Sequence, residues 1–155
     1  MQGDARIIKA LNARLAEELS AINQYTVHAE MLENWHYGKL YEPVWKRTMS
    51  EMKHAEKLIE RLLFLEGRPI VSELNPLHIG GVVPDMHRND LDHEYAAVKG
   101  YNESIKLAME VGDNGTKQLL EEILAQEEEH VDWLEAQIEQ IGQTGLENYL
   151  AGQIG

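Results

Sequence analysis

Cysteine is absent from the 155-residue chain. Without it, disulfides, thiolate metal ligands and cysteine nucleophiles are all excluded. Long apolar runs are also missing, since no stretch approaches the ~20 residues that a membrane span needs. The opening residues, Met1 to Asp4, lack the cationic and apolar segments of a secretory signal. We therefore expect a cytoplasmic protein that does not bind membranes.

Basic residues are few, with 14 lysines and arginines against 27 aspartates and glutamates, which gives a net charge of −13. This excess disfavours binding to a nucleic-acid backbone and attracts cations toward acidic surfaces or channels. Many cytosolic proteins are acidic for solubility alone, so the charge only slightly favours cation handling. The length predicts one domain over residues 1–155, with room for a substantial core.

Apolar residues recur at helical spacing along the chain, and no segment alternates as a strand does. The expected helices run from Asp4 or Ala5 to Trp35, Glu42 to Leu65 or Glu66, Pro84 or Asp85 to Val111, Thr116 to Ile141, and Leu146 to Gln153. Pro43 suits a first helical turn, and Thr116 is expected to be an N-cap. The link 67–83 is too long for a hairpin turn. Two helical hairpins joined by this link predict an all-α, ferritin-like four-helix bundle with a crossover and a short fifth helix.

Two Glu-x-x-His motifs occur, Glu51 with His54 and Glu127 with His130. Residues three apart share a helix face, but glutamate is so common in helices that one motif alone has little meaning. The pattern, however, repeats. A single offset of 76 residues maps Glu18, Glu51, His54 and Tyr25 onto Glu94, Glu127, His130 and Tyr101. The two halves are therefore predicted to be related by pseudo-twofold symmetry.

The repeated polar residues fall on otherwise apolar helix faces; Glu18, for example, lies between Leu15 and Ile22. Buried unpaired carboxylates are costly, and four that face one another repel strongly. Few basic residues occur at positions from which they could pair with these carboxylates. Two divalent cations would remove the repulsion. One glutamate from each of two helices, with Glu-x-x-His from each of the other two, is the di-iron carboxylate pattern.

The repeat also predicts a role for each residue. The expected bridging ligands are Glu51 and Glu127, and the expected terminal ligands are Glu18, His54, Glu94 and His130. Oxygen and nitrogen ligands suit iron, although manganese or zinc could occupy the same site. Iron is favoured because two adjacent Fe(II) ions can together reduce dioxygen or hydrogen peroxide. Tyr25 and Tyr101 either hydrogen-bond to ligand carboxylates or pack as ordinary core residues.

A second apolar stripe runs along the second helix, on a different face from Glu51 and His54. It consists of Trp45, Met49, Met52, Ile59 and Leu63. A helix with two apolar faces is buried on both sides, so the outer stripe predicts a subunit interface. From this pattern alone, Met52 is a core or interface residue, with haem ligation as a minor alternative.

Several segments of the chain resemble the bacterioferritin family, and together they span nearly its whole length. They are Met1–Asp4, Leu19–Tyr25, Glu51–Ala55, Leu63–Gly67, Glu127–His130 and Gly145–Leu150. The resemblance implies a hollow shell of twenty-four subunits, each of which oxidises Fe(II) at a di-iron site whose six ligand positions are all matched. It implies storage of ferric mineral inside the shell. It also implies haem b at a twofold interface with Met52 from each of two subunits as axial ligands, and a small ferredoxin as electron donor during iron release.

This chain departs from the family pattern at three positions. Where some members carry a histidine and an aspartate that form an extra iron site on the inner wall, this chain has Lys46 and Ser50. Where some members carry a redox-active tyrosine, this chain has Leu58. Trp133 and Tyr25 remain as candidate one-electron donors. These differences leave the predicted di-iron ligands intact but alter the route of iron and electrons to the cavity.

Two other functions are compatible with part of the pattern. One is a haem-containing electron-transfer or haem-storage shell with little oxidation, which the complete set of six ligands disfavours. The other is a di-iron oxidoreductase without storage, which would form a dimer or tetramer. A DNA-protecting ferritin is disfavoured, because those proteins build their metal site across subunits and this chain has no basic tail. The sequence leaves open the oxidant, the residence of iron at the site, the haem occupancy and the presence of other subunit types.

Overall fold

The computed structural model describes residues 1–155 and contains five helices and no strand. The helices are α1 Ala5–Asn34, α2 Gly38–Phe64, α3 Val83–Glu110, α4 Asn114–Thr144 and α5 Leu146–Ala151. At about 1.5 Å per residue, the four long helices are about 40–47 Å long. α1 packs along α2, α3 packs along α4, and α1 contacts α3. This architecture confirms the predicted ferritin-like bundle with a crossover and a short fifth helix.

The apolar core has two parts that flank a polar centre. The first cluster includes Leu11 and Leu15 of α1, and the second includes Ala29 and Leu32 of the same helix. Glu18 lies between them in the chain, and the other three long helices follow the same order of apolar, polar and apolar segments. The bundle thus holds its polar residues at mid-length. No helix combines the length and the apolar character that crossing a bilayer would require.

The start of α2 differs from the prediction, because the helix begins four residues earlier, at Gly38, and Pro43 lies inside it. The C-terminal residues account for the extra turn. The backbone N–H of Lys39 donates to the carbonyl of Gln153 at 3.1 Å. A Cβ on Gly38 would lie 2.1 Å from the carbonyl oxygen of Gly155, so glycine permits this close approach. The local pattern around residue 42 contains no trace of these distant contacts.

The predicted N-cap of α4 is also wrong, since Asp113 caps the helix and Thr116 lies in its first turn. The carboxylate of Asp113 accepts hydrogen bonds from the N–H and the hydroxyl of Thr116, at 3.0 and 2.6 Å. Arg61 of α2 donates to both residues, to Asp113 at 2.9 Å and to Thr116 at 3.0 Å. Aspartate is a strong cap residue, and the arginine adds a partner that the local sequence does not reveal. α5 ends at Ala151, two residues before its predicted end.

The crossover between α2 and α3 has no regular secondary structure but is fixed to α1 by side chains. Its backbone N–H groups at Ile70, Asn75, His78 and Gly80 donate to side chains of Asn12, Ser20, Gln24 and His28, respectively. These four acceptors are spaced by eight, four and four residues and therefore share one face of α1. The crossover consequently follows α1 along much of its length.

Candidate metal centre

The six residues of the predicted repeat meet in the middle of the bundle. The structure forms two groups of four whose ligand atoms lie within 4.8 Å of one another: Glu18, Glu51, His54 and Glu127, and Glu51, Glu94, Glu127 and His130. Each group could hold a metal ion. Glu51 and Glu127 belong to both groups, so their carboxylates lie between the two candidate positions. All four carboxylates are buried, with at most 2% of each residue exposed.

Both imidazoles present Nδ1 to the carboxylates. The Nδ1 atom of His54 lies 2.9 Å from Glu127 and 3.5 Å from Glu18. The Nδ1 atom of His130 lies 3.0 Å from Glu51 and 3.4 Å from Glu94. The two histidines therefore occupy matching positions in the two groups, as the offset of 76 residues predicts. A neutral imidazole in this orientation directs its Nδ1 lone pair at the centre.

The centre also contains most of the unsatisfied polar atoms of the protein. With the histidines neutral and the carboxyls ionised, eleven buried side-chain nitrogen and oxygen atoms have no hydrogen-bond partner, and seven of them belong to the six predicted ligands. Buried polar atoms without partners are rare in folded proteins and call for an explanation. Oxygen and imidazole nitrogen atoms that converge without partners fit divalent metal ions such as iron, manganese or zinc.

A proton on these residues forms a hydrogen bond within the centre, and four of the six residues hold a proton more tightly than usual. Burial, together with the nearby carboxylates, raises the pKa of Glu51 well above its ordinary value and that of Glu94 to about 7. Burial works against the charged form of His54, but hydrogen bonds to Glu127 and Glu18 outweigh it and raise the pKa of His54 to about 10. The corresponding bonds to Glu127 and Glu94 raise the pKa of His130 to about 9.

The other two carboxyls of the centre behave in the opposite way. Burial pushes the pKa of Glu18 upward, but hydrogen bonds with Glu51 and His54 leave it below its ordinary value. Burial and the charge of Glu18 push the pKa of Glu127 upward, but hydrogen bonds with Glu94 and the two histidines leave it lowered. The centre therefore contains carboxyls whose pKa values have moved in opposite directions, as is typical of functional sites.

The two predicted tyrosines each contact a carboxylate of the opposite half. The hydroxyl of Tyr25 donates to Glu94 at 2.6 Å, and the hydroxyl of Tyr101 donates to Glu18 at 2.6 Å. Both tyrosines are completely buried. Each terminal carboxylate thus has one oxygen fixed by a tyrosine, and its second oxygen has no partner.

Gln126, which the sequence did not single out, contacts His54 on the other side of the ring. Its Oε1 atom lies 2.6 Å from Nε2 of His54. An amide oxygen can only accept, so Nε2 carries the proton and Nδ1 is left free for a metal. Ser50, the residue that the offset of 76 matches to Gln126, contacts the same amide oxygen at 3.5 Å. The only sequence feature that could have indicated Gln126 is its position next to Glu127.

A second buried network, also missed, lies one helical turn from the centre. Asp90 accepts hydrogen bonds from Gln24 at 2.8 Å, from Nδ1 of His28 at 2.9 Å and from Arg47 at 2.8 Å. The guanidinium of Arg47 lies 4.3 Å from the ring centre of Tyr25. The network therefore links the crossover contacts of α1 to a tyrosine of the metal centre. Asp90 and Arg47 each precede a predicted ligand by four residues and therefore lie on the same helix face as that ligand. This spacing was the only sequence feature that could have indicated them.

The remaining predicted residues lie outside the centre. Met52 is 38% exposed on the outer side of α2, where Trp45 and Met49 are exposed to a similar extent. Ile59 is only partly buried and packs against the core, whereas Leu63 is exposed. Leu58 is fully buried in the first apolar cluster, the one that includes Leu11 and Leu15.

Comparisons with known proteins identify the family of this chain. A family model described as a ferritin-like domain matches residues 8–144. A bacterioferritin of Brucella melitensis is 40% identical over 149 residues, which cover 96% of this chain and 92% of the relative. A bacterioferritin of Rhodobacter capsulatus is 41% identical over 149 residues. The chain belongs to the bacterioferritin family.

A bacterial ferritin of Synechocystis sp. matches over an even larger share of both chains, with 38% identity over 155 residues and 99% coverage of each. The resemblance seen in the sequence motifs is thereby confirmed. Membership in the bacterioferritin family supports a role in iron storage and implies a homo-oligomeric shell.

Proposed function

We propose that this chain is a ferroxidase subunit of an iron-storage shell, and that Fe(II) is its substrate. The observation that carries the proposal is the pair of four-residue groups that share Glu51 and Glu127. Two ions bound there would lie side by side, with Glu18 and His54 as ligands of one ion and Glu94 and His130 as ligands of the other. Their combined positive charge would balance the four buried carboxylates.

The proposed reaction needs two electrons, and two Fe(II) ions supply one each. With hydrogen peroxide as oxidant, the two electrons cleave the oxygen–oxygen bond and yield two hydroxide ions. With dioxygen, two electrons and two protons yield hydrogen peroxide. The carboxylates favour the product because Fe(III) carries one more positive charge than Fe(II). Tyr25 and Tyr101 hold the terminal carboxylates in place through their hydroxyl groups.

The remaining parts of the proposal follow the family. The product Fe(III) passes into the cavity of a shell of twenty-four subunits, where it is stored as mineral, in the cytoplasm. An exposed stripe on α2, with Trp45 and Met49 among its members, is suited to one of the subunit interfaces. Nucleic acid is not a partner, in line with the net charge of −13.

We also propose that haem b binds at a twofold interface between Met52 residues of two chains. Met52 is 38% exposed on a stripe with other exposed apolar side chains, so its sulfur would be able to ligate haem iron and its neighbours would contact the apolar ring. Haem supplies reversible one-electron chemistry when bound. A small ferredoxin would be the electron donor during iron release.

A Glu18→Ala variant tests the proposed oxidation. Loss of this terminal ligand should slow the initial oxidation of Fe(II) at least tenfold, because one of the two ions loses a ligand. Stopped-flow absorbance of the ferric product under dioxygen, and separately under hydrogen peroxide, measures the rate. Glu128→Ala, at an exposed position of α4, is the matched control and should oxidise at the normal rate. An unchanged rate in Glu18→Ala would contradict the proposal and favour a haem shell with little oxidation.

A Met52→Leu variant tests the haem proposal. Leucine keeps the size and apolar character but has no sulfur to ligate iron, so the variant should bind no haem. Reconstitution with haem, followed by its strong visible absorbance per chain, is the measurement. Met49→Leu, one turn away on the same stripe, should bind the normal amount. Equal binding by both variants would rule out Met52 as the axial ligand.

A further inference from the structure

A surface pocket lies against the outer side of His130 and contains only basic charges. It has a volume of about 260 Å³ and is lined by Pro43, Lys46, Arg47, His130 and Trp133. Three of these five residues carry basic side chains and none is acidic, although acidic residues outnumber lysines and arginines almost two to one in the whole chain. A concave site with donors of one sign attracts anions.

Arg47 contributes hydrogen-bond donors that the protein does not use. Its side chain is 4% exposed, and only Nη2 has a partner, the carboxylate of Asp90. The Nε and Nη1 atoms are buried without any partner. The guanidinium lies 4.3 Å from the ring centre of Tyr25 and 5.7 Å from that of Trp133, which is itself a wall of the pocket. The rings stabilise the charge, but Nε and Nη1, which together carry three N–H bonds, still lack an acceptor.

His130 also lacks an acceptor on its outer side, unlike His54. Nδ1 of His130 faces the carboxylates, so Nε2 lies on the other side of the ring. For His54 the corresponding nitrogen contacts Gln126. Ser50, at the matching position in the other half, contacts Gln126 and not His130. Metal-binding histidines almost always donate the second N–H to an acceptor. In this half of the molecule the acceptor has to come from outside the chain.

We propose that inorganic phosphate binds in this pocket, held by Lys46, the positive charge of the Arg47 guanidinium and the outer N–H of His130. The inference rests on the proposed function in one respect, since it treats His130 as a metal ligand. A tetrahedral oxyanion offers several acceptor oxygens, which match ammonium, guanidinium and imidazole donors at once. Bound phosphate would accept a hydrogen bond from Nε2 of His130, as Gln126 accepts one from Nε2 of His54. This bond fixes the ring of His130 with Nδ1 toward the metal centre.

The direct test is binding of inorganic phosphate to the assembled, metal-free protein in chloride buffer, measured by titration calorimetry. Omitting metal prevents phosphate from binding as a metal ligand. We expect saturable binding, weakened about tenfold or more in Lys46→Glu because an ion pair to the anion is lost. Lys99→Glu, at an exposed position of α3 with the same change in charge, is the control and should bind normally. No saturable binding, or equal weakening in both variants, would overturn the proposal.

Crystals soaked in arsenate, a heavier analogue of phosphate, give an independent answer. An anomalous arsenic peak beside Lys46 and His130 is expected, and a peak only at other positions would contradict the site. Both measurements are made without Fe(II), so they can fail while iron oxidation succeeds, or succeed while it fails. The phosphate site and the proposed ferroxidase function can therefore be rejected separately.

Discussion

Gln126 influences the metal centre without belonging to the six predicted ligands. Replacing it by leucine removes the acceptor that holds the Nε2–H of His54. The ring then loses its fixed orientation, so binding to the group that contains Glu18 and His54 should weaken about 10- to 100-fold. Titration of the assembled protein with Co(II), followed by its visible absorbance, measures the affinity. Gln143→Leu, at an exposed position of the same helix, should have no effect.

A Gln126→Glu variant distinguishes orientation from packing. Glutamate keeps an acceptor oxygen at nearly the same place, so it should restore most of the Co(II) affinity that leucine removes. If leucine weakens binding and glutamate fails to restore it, the role assigned to the hydrogen bond is wrong.

The six candidate ligands could be found in the sequence because two signals coincided, a repeat with one offset and carboxylates on apolar faces. Gln126 gave neither signal. Gln126 contacts His54, which is 72 residues away in the chain. The spacing of residues along one helix cannot predict a hydrogen bond to a ring nitrogen on another helix. The pair of Asp90 and Arg47 was missed for the same reason, since their ion pair joins two helices that meet only in the folded bundle.

Among the structural elements, the crossover depends most on side chains of another element. Its ordering has an entropic cost that no helical hydrogen bonds offset. Gln24 accepts from the N–H of His78, whereas Asn12 accepts from the N–H of Ile70 near the other end of the segment. Each contact therefore holds a different part of the crossover.

Gln24→Ala should loosen the crossover locally. The N–H of His78 loses its acceptor, so its exchange with deuterium should become about five- to tenfold faster, as expected for the loss of roughly 1 kcal/mol. Hydrogen exchange measured by mass spectrometry on peptides around residues 70 and 78 is the assay. Asn12→Ala is the matched control and should accelerate exchange at Ile70 alone. Equal acceleration at both places in either variant would show that the crossover opens as a unit.

Element types and order were predictable from the sequence, but element ends were not. Helical periodicity and the glycine and proline residues of the crossover defined the four long helices. The first turn of α2 depends on Gln153 and Gly155, and the cap of α4 depends on Arg61 of α2. These contacts join residues more than 50 positions apart, so a local pattern contains no information about them.

For the molecule as a whole, the contribution of the centre to stability depends on pH when metal is absent. Two histidines and four carboxylates lie between two apolar clusters, and protons take the place of metal ions. The pKa of His54 is about 10 and that of His130 about 9, against an ordinary value of 6.5, because hydrogen bonds to the carboxylates outweigh burial. The folded, metal-free protein therefore binds protons that the unfolded chain releases above pH 6.5.

This difference predicts how the metal-free fold responds to pH. A group whose pKa is higher in the folded state stabilises the fold fully below its unfolded pKa, and that stabilisation is lost as pH rises through the folded value. For His54 and His130 the loss falls between pH 6.5 and about 10. The pKa of Glu94 is raised from 4.5 to about 7, mainly by burial, so its stabilisation of the fold is lost as pH rises from 4.5 to about 7. The metal-free protein should therefore unfold at progressively lower temperature from pH 6 to pH 9.

Bound metal should suppress this dependence, because it replaces the protons of the histidines and carboxyls. Protein loaded with Zn(II), which has no redox chemistry, is expected to keep a nearly constant unfolding temperature over the same range. The stabilisation by metal then grows with pH and reaches the order of a few kcal/mol at pH 9. Differential scanning calorimetry of the EDTA-treated and Zn(II)-loaded protein at each pH measures both curves. Parallel curves would mean that the six side chains do not exchange protons for metal, and the centre would then need another explanation for its buried charges.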